Sequence, residues 1–114
     1  MIELTINELS TGYVPINFYD DDGLPVIPAS GTYRIDDEYS GEPIVEWTGF
    51  IPTSATYIIE LPTTATVIID RMNMTEKRNV TVIFLYGTGK QGTAYNLFIV
   101  QQIPNILVVD EVVP

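Results

Sequence analysis

Val80-Thr81-Val82-Ile83-Phe84-Leu85-Tyr86, Gly87-Thr88-Gly89-Lys90-Gln91-Gly92 and Thr93-Ala94-Tyr95-Asn96-Leu97-Phe98-Ile99-Val100 follow one another without interruption. The middle block matches G-x-G-x-x-G, with Gly87, Gly89 and Gly92 in register. That fingerprint binds dinucleotides when a helix follows it and aims its N-terminal amides at a pyrophosphate. Residues 93–100 instead alternate at period two and carry β-branched and aromatic side chains, which is strand behaviour. The stretch reads as a β-hairpin closed by a glycine-rich loop, with Lys90 at a solvated tip. In its first arm neither face is polar over the second half, as expected of a central strand buried on both sides.

Similar alternation extends toward the N-terminus. Ile2, Leu4 and Ile6 alternate with Glu3, Thr5 and Asn7, forming a first strand over 2–9. Val14, Ile16 and Phe18 resume the pattern, but Pro15 has no ladder donor, so this piece lies at a sheet edge or continues the first strand beyond a bend. Asp20-Asp21-Asp22-Gly23 is a turn, and the two prolines in 24–29 keep that segment extended with little inter-strand bonding. Residues 32–37 and 44–48 form a hairpin across Ser40-Gly41-Glu42-Pro43, with Val45 and Trp47 on one face. On this periodicity Tyr33, Trp47 and Tyr95 point to the core. Residues 56–61 and 66–70 read as further strands, and 71–78 as a short helix or broad loop. Seven or eight short strands with turns about every ten residues predict an antiparallel β-sandwich, with a small barrel as the alternative.

Composition agrees. The 114 residues include 51 of strand-favouring types (Val, Ile, Thr, Tyr, Phe, Trp) against 30 strong helix formers. The length suits a single domain over 1–103, followed by an aliphatic segment over 104–114. Cysteine and histidine are both absent, which removes thiolate and imidazole chemistry: disulfides, the usual catalytic triads and nearly all zinc or haem sites. The expectation is a protein that is not an enzyme and holds no cofactor. A net charge of −10 has the wrong sign for phosphate neutralisation, so nucleic acid is not an expected partner. No apolar run is long enough to cross a bilayer, and the first residues lack the basic start of an export signal.

Few residues suggest a site. Asp20, Asp21 and Asp22, and separately Asp36, Asp37 and Glu38, offer carboxylate oxygens to a hard cation such as calcium, or are solvated charged turns. Eight acids and one base lie between Asp20 and Glu46, whereas Arg71, Lys77 and Arg78 cluster with one acid. That asymmetry fits head-to-tail docking between copies or a polarised monomer surface. The segment 104–114 carries Ile106, Leu107, Val108, Val109, Val112 and Val113. It is either a final strand of its own sheet or a strand added to another chain.

From Thr32-Tyr33-Arg34-Ile35-Asp36-Asp37 through Ser40-Gly41-Glu42-Pro43-Ile44-Val45-Glu46-Trp47-Thr48, the chain resembles a group of small Ig-like β-sandwich virion proteins of tailed bacteriophages. The likeness continues over Ala65-Thr66-Val67-Ile68-Ile69-Asp70, Glu76-Lys77-Arg78-Asn79-Val80-Thr81-Val82 and Tyr95-Asn96-Leu97-Phe98-Ile99-Val100, covering about 32–103. It implies an Ig-like sandwich and a place in the virion. The role implied is a capsid decoration or cement subunit, or a neck or tail accessory protein, contacting other virion proteins or further copies of itself. It transfers no catalytic or ligand residues. A carbohydrate- or cell-surface-binding module is the other function considered, and the inward placement of Tyr33, Trp47 and Tyr95 weighs against it.

Overall fold

The computed structural model describes residues 4–103. Among these residues seven strands run in chain order: β1 (Leu4–Asn7), β2 (Gly12–Asn17), β3 (Ser30–Asp37), β4 (Pro43–Phe50), β5 (Thr56–Leu61), β6 (Thr75–Tyr86) and β7 (Lys90–Gln101). A five-stranded sheet has the order β1-β7-β6-β3-β4, and β2 and β5 form a second, two-stranded sheet. The alternating aliphatics named above explain the layering. Val14, Ile16, Ile59 and Leu61 from the small sheet meet Ile35, Val80, Val82, Phe84, Phe98 and Val100 from the large one in a single buried cluster. Each such side chain contributes roughly 1.5–3 kcal/mol of burial.

The all-β expectation holds, but the sheets are not wholly antiparallel, because β1 lies parallel to β7. Its chain leaves through Glu8-Leu9-Ser10, where Leu9 takes φ 61°, and re-enters the opposite sheet as β2. Pro15 falls in a two-stranded sheet, where every strand is an edge and a missing donor is tolerated. The glycine-rich loop is the β6–β7 hairpin turn, with Gly87 and Gly89 at φ 55° and 71°. Residue 92 is already inside β7, and a Cβ there would lie 2.4 Å from the Phe84 ring.

Four expectations are corrected. Residues 66–70 are not a strand: a 3₁₀ turn (Thr63–Thr66) gives way to irregular backbone whose polar groups bond to side chains of β6. The supposed helix or loop over 71–78 ends early, since β6 begins at Thr75. β6 is central, yet only one of its faces is covered, and Leu85 on the other is 48% exposed. Trp47 and Tyr95 do not point to the core. Between the pairs Tyr33↔Thr48 and Ile35↔Val45, β4 places two residues, Glu46 and Trp47, opposite Arg34 alone. This bulge inverts the alternation, so Val45 packs on the core while Trp47 turns outward, 44% exposed. In β7 both alternating sets are largely apolar, and the buried one is Phe98 and Val100, leaving Tyr95 62% exposed. Tyr33 is half-buried and packed against the core, as expected.

Candidate functional site

Three places gather polar or exposed aromatic side chains. The first is internal. Arg78 is fully buried in β6, where its guanidinium donates to Asp37 Oδ1 at 3.2 Å, Glu76 Oε1 at 2.9 Å and the Val67 carbonyl at 2.6 Å. Burial pushes the Glu76 carboxyl upward, but donors from the Ile69 amide, the Asn73 side chain, the Asp70 amide and Arg78 outweigh it and hold it at about 2. Asp37 Oδ2 accepts both the amide and the hydroxyl of Ser40. Nearby, buried Glu8 accepts from Arg71 and from the Ile103 amide. These acids and bases fasten irregular loops to the sheet. A carboxyl held at about 2 stays ionised at neutral pH and is a poor proton donor there. Beside them lies a hollow of about 820 Å³, whose wall includes Glu38, Tyr39, Ile69 and Asp70.

The network changes how the charge asymmetry reads. Of the three bases in 71–78, Arg78 is buried and Arg71 is paired with Glu8, so neither presents a free cation to a second copy. Asp37, offered above as a cation ligand, is the partner of Arg78.

The second place is the Asp20–Asp22 turn. The three carboxylates approach within 4.8 Å of one another. Asp20 Oδ1 is engaged by the amides of Asp22 and Leu24, which shapes the turn. Asp21 pairs with Lys90 at 3.1 Å, and that contact lowers the Asp21 pKa and raises that of Lys90. Lys90 is therefore tied across the hairpin end rather than free at a tip. Of the six carboxylate oxygens, Asp20 Oδ1 and both of Asp21 are engaged in these contacts.

The third place is the outer face of the five-stranded sheet. Arg34 pairs with Thr81, and Thr81 with Tyr95, so Trp47, Arg34, Thr81 and Tyr95 form one row across β4, β3, β6 and β7. The Arg34 guanidinium lies 5.4 Å from the Trp47 ring centroid and is paired with Asp36 at 2.8 Å. Tyr95 donates from its hydroxyl to Asn79 at 3.4 Å. Toward the hairpin end the same face sinks into a groove of about 580 Å³, with Thr32, Gly49, Ile51, Ile83, Leu85 and Gln91 among its walls. Among the described residues no charged one lines it. Periodicity alone missed this face, because it assigned Trp47 and Tyr95 to the interior; the signal available was the second half of β6, where neither alternating set is polar. The docking candidates Ile106, Leu107, Val108, Val109, Val112 and Val113 lie outside the described residues.

The chain matches no protein-family model and no curated protein sequence.

Proposed function

We propose that this chain is a structural subunit of a tailed-bacteriophage virion, an Ig-like sandwich acting through protein–protein contacts, most simply as a capsid decoration or cement subunit. The observation that carries the reading is the outer sheet face, where Trp47, Ile51, Leu85 and Tyr95 stand exposed together with an uncharged groove. Exposed aromatic and aliphatic side chains gathered on one face are characteristic of interaction sites. The Ig-like assignment draws support from strand order: β3, β6 and β7 form an antiparallel trio facing β2 and β5, as C, F and G face B and E in that architecture. The non-enzymatic reading draws support from the ionic network, whose acids are consumed in holding loops. Quantitative mass spectrometry of particles from the native source tests the proposal. Copies near a simple fraction of the major capsid protein indicate decoration, a few copies indicate the neck or tail, and none overturns the virion reading.

One observation favours a second function. Trp47 and Tyr95, which the periodicity turns inward, are exposed on one row, so a carbohydrate- or cell-surface-binding face gains weight. Glycan-induced changes in Trp47 fluorescence, abolished by Tyr95→Ala, would favour it over particle docking.

A further inference from the structure

The groove on the outer face and the aliphatic run 106–109 have matching chemistry but cannot meet within one chain. The groove wall contains Thr32, Gly49, Ile51, Ile83, Leu85 and Gln91 and, among the described residues, no charged side chain. Gly49 keeps its floor open, since a Cβ there would meet only the Gly31 carbonyl, at 4.0 Å. Residues 106–109 are Ile-Leu-Val-Val, four uncharged aliphatics in succession.

Register fixes where each begins. The chain leaves the sheet at Gln101, which pairs with Asn7 and Thr75, and the next residues are held there: the Gln102 amide donates to Met74 and the Ile103 amide to Glu8. The groove lies toward the other end of the same strands, where Ile83 pairs with Thr93 and Leu85 with Gln91. Eight to ten strand residues separate those positions from Gln101, about 27–34 Å. A fully extended chain carries residue 109 only about 22 Å from Ile103. The run 106–109 therefore falls short of its own groove.

We infer that the groove receives residues 106–109 of a second copy, so that copies associate head to tail through a heterologous contact. Such a contact makes rings or open chains rather than a closed two-fold dimer. The aliphatics fill the space above Gly49 and between Ile51, Ile83 and Leu85, and with no charged side chain among the described groove residues the desolvation penalty is confined to polar groups such as Thr32 and Gln91.

Two full-length variants test it by complementation. Leu85→Asp places a charge in the groove and leaves the tail intact; Leu107→Asp does the reverse. In sedimentation equilibrium across micromolar to sub-millimolar loading, the unaltered chain is expected to exceed 12.7 kDa and to rise with concentration. Each variant alone should remain at 12.7 kDa. An equimolar mixture should reach about twice that mass and stop, because one good groove meets one good tail. Circular dichroism checks that both variants are folded. Should Leu85→Asp unfold, Gly49→Leu fills the same groove from a position with room for it. An unaltered chain that stays monomeric overturns the inference and leaves the face to a different protein, as does a mixture that fails to associate. This outcome is separable from that of particle composition, since a monomer in solution can still be abundant in a virion.

Discussion

Arg78 illustrates how a single residue constrains a whole end of the molecule. A fully buried guanidinium is tolerable only when its charge is met, and here Asp37, Glu76 and the Val67 carbonyl meet its two terminal nitrogens, while Nε is buried without a partner. Removing the cation leaves two buried carboxylates facing each other. Arg78→Met should therefore destabilise the fold by about 3–5 kcal/mol in denaturant unfolding, far more than a surface Arg substitution. Glu76 sets the pH response. Its carboxyl sits at about 2 when folded against 4.5 as an ordinary side chain, so the folded state holds the proton less tightly. The stabilisation is complete above pH 4.5 and is lost as pH falls through about 2, amounting to at most about 3 kcal/mol. Unfolding free energy should decline over that window, and Glu76→Gln, less stable at neutral pH, should flatten the decline. An unchanged acid slope in that variant would place the titrating group elsewhere.

At the scale of elements, the β6–β7 and β3–β4 hairpins were legible because glycine turns and period-two alternation act locally. What escaped the alternation was its interruption. One extra residue in β4 turns Trp47 from the core to the surface, and no residue type in Glu46-Trp47 announces a bulge. The run 66–70 reads as a strand because its composition is strand-like; the Ile69 and Asp70 amides and the Val67 carbonyl instead bond to side chains of residues 76 and 78, which no local pattern reveals. The parallel β1–β7 pairing is likewise a long-range fact. Acrylamide should accordingly quench Trp47 emission readily in the folded protein, and a shielded, blue-shifted tryptophan would return Trp47 to the core and remove the outer-face row. Gly92 offers a second test. A Cβ there meets the Phe84 ring at 2.4 Å, whereas at Gly49 the nearest atom is at 4.0 Å. Gly92→Ala should lower stability by about 1–3 kcal/mol through overpacking, while Gly49→Ala should have little effect.

For the molecule as a whole, the core among the described residues is drawn from between Ile6 and Val100, which leaves the share of the segment 104–114 to be measured. The aliphatics of that segment then have two fates, a strand of their own sheet or a contact with another chain, and stability distinguishes them. If they serve association, a chain ending at Ile103 keeps the buried cluster, the Arg78 network and the Glu8 contact to the Ile103 amide. It should unfold cooperatively at a denaturant midpoint close to that of the full chain measured at high dilution, while losing its concentration-dependent mass and, on the proposed virion role, its incorporation into particles. A folded but assembly-incompetent truncation joins the apolar face to the aliphatic segment as two halves of one contact. If the midpoint instead falls sharply, those side chains are burying themselves in their own sandwich, and the outer face must find its partner without them.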